Sequence, residues 1–172
     1  TYEQRVARIY RNDVYMLGVA MFSKGQYKEA AERLQKVTAI GGDALTQNAY
    51  LYLGSCDLKL NAKNGARLAF EAASNADFDR NVKEEALYNY ALVVYDQSYS
   101  PFNESVTAFE RFLNEFPDSK YTESVYDYLV NVYLTTKNYA AAYASIQKIK
   151  QPSARIVAAR QRVLYCLGIQ QF

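Results

Sequence analysis

Residues 17–37 have the sequence LGVAMFSKGQYKEAAERLQKV and contain the pattern from which the fold can be read. A small residue, Gly18, is followed 12 residues later by Ala30, and apolar residues follow Ala30 at steps of 4 and 7, at Leu34 and Val37. Steps of 4 and 7 place side chains on one face of an α-helix. The stretch therefore predicts the end of one helix, a turn, and a second helix with one apolar face.

The same pattern occurs four times along the chain. Each copy begins with a pair of residues such as Leu17-Gly18. The interval from the second residue of that pair to the small residue on the next helix is 12, 12, 14 and 12 residues in the four copies. Four matching registers favour a repeat architecture over an ordinary antiparallel helical bundle. The other three copies are Leu53-Gly54 with Ala66, Phe70 and Ala73; Tyr90-Ala91 with Ser105, Phe109 and Phe112; and Leu129-Val130 with Ala142, Ile146 and Ile149.

Turn-forming residues separate the two helices of each unit. Gly, Asn and Pro end helices or favour turns. The small residues on both helices allow close approach, and a large side chain there is expected to cost about 1–3 kcal/mol by overpacking. The predicted turns are Lys24-Gly25-Gln26, Asn61-Ala62, Ser98-Tyr99-Ser100-Pro101 and Lys137-Asn138.

These repeats resemble the tetratricopeptide repeat (TPR) family. Its signature is matched in the first unit by Leu17-Gly18, Gly25, Tyr27, Ala30, Leu34 and Val37, with Met21 where the family usually has Tyr. The resemblance implies an all-α fold, a TPR-type α-solenoid in which antiparallel helix pairs form a right-handed superhelix of about nine helices. One domain, 1–172, is expected, with units at about 11–43, 44–79, 80–118 and 119–152.

The segment 153–172 is predicted to be a first helix with no second helix behind it. Because the chain starts at Thr1 without Met, we expect it to be a piece of a longer protein. The segment is too apolar for a solenoid cap, which needs a polar outer face. Self-association through 153–172 is therefore expected, with the next helix of the parent protein as the native counterpart.

The composition argues against catalysis. The chain has no His, which excludes His-based acid–base catalysis and His metal ligands. Neither GxGxxG nor GxxxxGK[ST] occurs. We therefore expect no enzyme activity, no catalytic residues, no metal and no cofactor. Cys56 and Cys166 are expected to be small buried apolar residues rather than a disulfide.

The net charge and hydropathy restrict the partners. A net charge of +2 is too small for a general nucleic-acid binder. No stretch approaches 18 uninterrupted apolar residues, so membrane insertion of this chain is not expected. The predicted partner is a protein or a peptide.

In the TPR family the first helix of each pair lines a concave groove. The resemblance implies that the residues at the corresponding positions of this chain line a similar groove. Tyr and Asn dominate the set, and they suit contact with a peptide. The alternative is that several of these Tyr pack between helices and expose only a hydroxyl. The groove positions are Asn12, Tyr15, Phe22, Asn48, Tyr52, Tyr88, Asn89, Tyr95, Asp127, Tyr128, Asn131, Arg162 and Tyr165.

Two other functions compete with a protein-binding scaffold. The repeats can be a spacer within a longer superhelix with no ligand of its own, or a solenoid that binds glycan or nucleic acid. The string Phe116-Pro117-Asp118-Ser119-Lys120-Tyr121 resembles those of bacterial cell-envelope TPR proteins. It favours a periplasmic or outer-membrane-associated location, with a cytoplasmic one as the alternative.

Overall fold

The computed structural model describes residues 1–97 and 104–170, and within these ranges the chain is all-α. Nine helices occur there, as the sequence predicts, and they pack as adjacent pairs. None of the described helices is long and apolar enough to cross a bilayer. The helices are α1 (Tyr2–Ser23), α2 (Tyr27–Thr38), α3 (Ala44–Lys59), α4 (Lys63–Ser74), α5 (Arg80–Gln97), α6 (Glu104–Glu115), α7 (Thr122–Thr135), α8 (Tyr139–Gln147) and α9 (Ala154–Gln170).

The chain divides into two compact units, Thr1–Val93 and Val94–Phe172. The first unit contains α1 to α4 and most of α5, and the second contains the end of α5 and α6 to α9. The single solenoid domain and its right-handed superhelix stay predictions.

The two helices of a pair meet at the predicted small residues. Gly18 on α1 lies under Leu34 of α2, and a Cβ built on the glycine would be 3.0 Å from the leucine side chain. The second helices contribute Ala30, Ala66, Ser105 and Ala142, and each of these four is fully buried. The small residues therefore let the helices approach closely, which confirms the packing expected from the sequence.

The turns inside the first two pairs have the same conformation. Gly25 has a φ of +78° and Asn61 has a φ of +58°, a left-handed conformation that Gly and Asn adopt more readily than other residues. Beyond these residues the chain bonds back to its helix: the Gln26 N–H donates to the Met21 carbonyl at 2.9 Å. Each helix thus ends where the sequence predicts. The predicted turn at 98–101 lies outside the described residues.

A second contact recurs at three of the four junctions between repeats, and the sequence analysis missed it. Arg11, seven residues before Gly18, donates to the Val37 carbonyl at 3.2 Å and to the Asp43 carboxylate at 2.8 Å. Asp43 in turn accepts from the Thr46 N–H at 2.9 Å and caps the start of α3. One side chain thus ties the end of α2 to the start of α3.

Gln47, seven residues before Gly54, makes the equivalent contact in the next pair. Its amide nitrogen donates to the carbonyls of Ala73 at 3.0 Å and Ala76 at 2.6 Å. Its amide oxygen accepts from the Asp79 N–H at 2.8 Å. Gln47 is 1% exposed, so this is a buried polar residue with its hydrogen bonds satisfied.

In the second compact unit, Val94–Phe172, the same two register positions carry the opposite charges. Glu123 lies seven residues before Val130, and Arg155 lies 25 residues after it, as Asp43 lies 25 after Gly18. Arg155 donates to Glu123 at 3.1 Å and also pairs with Asp127. A polar contact between these two register positions therefore occurs in three of the four repeats, while the third repeat has Glu84 and Phe116 at them.

Candidate partner-binding site

Three predicted groove residues form an aromatic cluster in the first unit. Phe22 and Tyr15 of α1 both meet Tyr52 of α3, with ring centroids 5.5 Å and 6.2 Å apart in edge-to-face geometry. Tyr27 of α2 packs on Phe22 from the other side at 5.5 Å. All four are half-buried. Burial, with a contribution from Tyr52, raises the pKa of Tyr15, so its hydroxyl stays protonated at neutral pH and can donate.

A similar cluster forms in the second unit. Tyr128 of α7 stacks on Phe109 of α6 with centroids 5.3 Å apart and an interplanar angle of 8°. Tyr95 meets Tyr128 edge to face at 4.9 Å. The Asn131 side-chain amide donates to the Tyr95 hydroxyl at 3.2 Å. Tyr95 and Tyr128 are half-buried, Asn131 is exposed and Phe109 is fully buried beneath them.

The two clusters have the same register. Phe22 and Tyr95 lie four residues after the small residue of their repeat, and Tyr52 and Tyr128 lie two residues before the corresponding position of the next repeat. The contact between consecutive first helices is thus aromatic on aromatic in both units. These Tyr pack between helices, and each side chain is partly exposed to solvent.

The asparagines are less available to a peptide than the sequence suggests. The Asn48 amide donates to the Ala44 backbone carbonyl of its own helix at 2.9 Å, and the Asn89 amide donates to the Glu85 backbone carbonyl at 2.8 Å. An amide has two N–H donors and an acceptor oxygen, so each keeps part of its capacity. Asn48 and Asn89 are both half-buried.

The remaining predicted site residues are spread over α1, α5, α7 and α9. Tyr88 is half-buried, while Asn12, Asp127 and Arg162 are exposed. Asp127 pairs with Arg155, so the exposed carboxylate is partly neutralised. Tyr165 is 70% exposed and is the most open aromatic side chain among the predicted site residues.

The sequence analysis also missed a cavity beside α9. Leu134, Tyr139 and Cys166 line its narrow part, and Lys137 and Ile169 line its wider part. The signal was present in the repeat register, because Cys166 stands where two other repeats have Tyr. The expectation of buried cysteines is confirmed for Cys56, and this burial raises the pKa of its thiol to about 11. Cys166 is only half-buried.

The described residues contain no group of three or more His, Cys, Asp or Glu placed to hold a metal ion. No protein family matches the chain, and no curated protein matches it.

Proposed function

We propose that the chain is a TPR-type repeat protein that binds a protein or peptide segment along its first helices and performs no catalysis itself. The observation that carries this proposal is the repeated aromatic pair, Phe22 with Tyr52 and Tyr95 with Tyr128. Partly exposed Tyr side chains offer contact area at a small cost in conformational entropy. Residues of this type are also enriched among binding hot spots.

The way in which the rings are held also supports binding. Each ring is fixed by edge-to-face or stacked neighbours, so a ligand would meet a surface that is already ordered. The hydroxyls add hydrogen-bonding groups at the edge of an apolar surface, which suits the backbone of an extended segment. The string at 116–121 supports a bacterial cell-envelope origin for the repeats.

Selection of peptides from a displayed library tests this function. We expect peptides selected on the wild-type chain to lose fivefold or more in affinity for Tyr52→Ala or Tyr128→Ala, about 1 kcal/mol or more. Phe78→Ala is the matched control in the first unit, because Phe78 is 57% exposed and lies outside the aromatic clusters. Circular dichroism establishes that each variant is folded.

The competing spacer function predicts a different result. A spacer without a ligand yields no peptide that distinguishes the cluster variants from Phe78→Ala. Peptides that bind the cluster variants and the wild-type chain equally well would remove the aromatic clusters as the binding site.

A further inference from the structure

A cavity lies between the turn that joins α7 to α8 and the C-terminal half of α9. Its wider part has a volume of about 340 Å³ and is lined by Lys137, Tyr139, Cys166 and Ile169. A second, narrower pocket of about 70 Å³ shares Tyr139 and Cys166 with it and is also lined by Leu134. An apolar cavity of roughly 150 Å³ holds a benzene molecule, so the wider part has room for an aromatic ring.

The repeat register explains why this cavity exists. Cys166 lies two residues before Gly168, the position that Tyr52 and Tyr128 occupy before Gly54 and Val130. The Tyr52 ring packs against Phe22, and the Tyr128 ring packs against Tyr95. Phe22 and Tyr95 each lie four positions after the small residue of the preceding repeat.

Leu134 is the counterpart of these two residues beside α9, and it lines the cavity together with Cys166. Tyr139, the counterpart of Tyr27, lines it as well. The narrower pocket is therefore bordered by the register positions between which a tyrosine ring packs in two other repeats, and the wider pocket adjoins it at Tyr139 and Cys166. In α5 the same position holds Asn89, so the residue type at this position differs from one repeat to another.

The rim of the cavity is basic. Lys137 borders the wider part and Arg162 the narrower part, and both are exposed. From 137 to 172 the sequence has six basic residues and no acidic one. The acidic Glu123 and Asp127 of α7 pair with Arg155 and so do not neutralise the rim. A ligand that fits this charge carries a carboxylate beside its apolar group.

We infer that this cavity is the anchor site of a partner peptide, which inserts an aromatic side chain and pairs neighbouring carboxylates with Lys137 and Arg162. The ring enters the wider pocket, beside the register position that the Tyr52 and Tyr128 rings fill in their repeats. The site rests on the proposed function, because Cys166 has the register position of Tyr52 and Tyr128, and it specifies the partner as a segment with acidic residues around an aromatic one.

Short peptides test the chemistry of the site directly. The probes are acetylated, amidated Glu-Phe-Glu, Glu-Ala-Glu and Lys-Phe-Lys, added to the full chain and followed by NMR chemical shifts. Glu-Phe-Glu is expected to bind at least tenfold more tightly than the other two, to shift Tyr139 and Ile169, and to weaken as salt is added. Equal binding of Glu-Ala-Glu overturns the aromatic anchor, and equal binding of Lys-Phe-Lys overturns the basic rim.

Two kinds of variant tie the binding to the cavity. Cys166→Tyr restores the ring of the other repeats and is expected to raise the thermal stability and abolish Glu-Phe-Glu binding, whereas Cys166→Ala keeps the cavity and the binding. If Cys166→Tyr fails to fold, the charge reversal Lys137→Glu with Arg162→Glu still decides, because both side chains are exposed. The reversal is expected to change the preference to Lys-Phe-Lys.

The outcomes separate this inference from the proposed function. If library peptides are lost in Tyr52→Ala and Tyr128→Ala while Cys166→Tyr and the charge reversal leave all binding unchanged, the aromatic surface stands and the anchor site is wrong. If Glu-Phe-Glu binds as expected but no library peptide depends on Tyr52 or Tyr128, the cavity stands alone and the wider surface is wrong.

Discussion

The ring of Phe70 lies directly over Gly54, so closely that a Cβ built on the glycine would be 2.6 Å from Phe70 Cε1. Phe70 is fully buried between the two helices of its pair. Real Cβ atoms do not approach another atom this closely, so any side chain at Gly54 must displace the ring or separate α3 from α4. Gly168 occupies the equivalent place on α9, and none of the residues that the structure describes lies within 4 Å of a Cβ built there.

Replacing these two glycines should therefore have opposite effects. Gly54→Ala is expected to lower the free energy of unfolding by about 1–3 kcal/mol through overpacking. Gly168→Ala is expected to leave it unchanged or to raise it by up to about 1 kcal/mol, because Ala is the better helix former. Urea denaturation of the two variants measures both, and a similar loss in each would contradict the packing of Phe70 on Gly54.

The hydrogen bonds of Gln47 are expected to contribute more to the free energy of unfolding than the hydrogen bond of the neighbouring Asn48. Gln47→Ala leaves the carbonyls of Ala73 and Ala76 and the N–H of Asp79 without their partner in a buried place, which should cost about 2–4 kcal/mol. Asn48→Ala is the matched control, since Asn48 bonds only to its own helix in the described structure and should cost less than about 1 kcal/mol. Equal losses on urea denaturation would contradict a role for Gln47 in joining the repeats.

Asp43 should make the first unit sensitive to acid. The hydrogen bond from Arg11, assisted by Thr46, outweighs partial burial and holds the pKa of Asp43 well below its usual range. A depressed pKa gives stability that is present above the ordinary Asp value of about 4 and is lost as the pH falls toward the folded-state pKa. The effect should be modest, because the Asp43 side chain is 48% exposed.

Unfolding free energies from pH 7 down to pH 2 test this linkage. The wild-type chain is expected to lose more stability below about pH 4 than Asp43→Asn, which has no carboxyl group to protonate at this position. Parallel curves for the two proteins would show that the acid sensitivity arises at other groups.

Copies of the chain are expected to associate through the segment 153–172 at high concentration. On α9, Leu164, Tyr165 and Ile169 are 44%, 70% and 57% exposed. Exposed apolar groups of this kind tend to find partners. Light scattering should detect a species larger than the monomer, which Leu164→Glu with Ile169→Glu removes and Leu68→Glu, at an exposed site on α4, does not. A strictly monomeric chain at millimolar concentration would disprove the association.

Helices and turns could be predicted from the sequence because they depend on local spacing. The steps of 4 and 7 from Ala30 and Ala66 identify buried faces, and Gly25 and Asn61 identify the turns that follow α1 and α3. The sequence left open whether the first helix is continuous or breaks near Asn12-Asp13, and α1 is continuous from Tyr2 to Ser23. Apolar spacing alone could not decide this point, because Asn is unfavourable in a helix by only a fraction of a kcal/mol.

The candidate site was predicted less completely. The sequence identified Phe22, Tyr52, Tyr95 and Tyr128, but it gave no reason to pair them across consecutive first helices. The cavity at Cys166 was also missed, because a cysteine on its own suggests a small buried residue, and only comparison with the Tyr of the other repeats reveals the space that it leaves.

The sequence by itself thus determined the helical repeat, its register and its small contact residues, since these follow from side-chain periodicity within about twenty neighbouring residues. The tertiary structure decided which side chains meet between repeats: Arg11 with Asp43, Gln47 with Asp79, and Tyr95 with Tyr128. Those contacts join residues more than thirty positions apart, and they depend on how far one helix pair is rotated and shifted against the next. That rotation is set by the packing of whole helix faces, which no local pattern specifies.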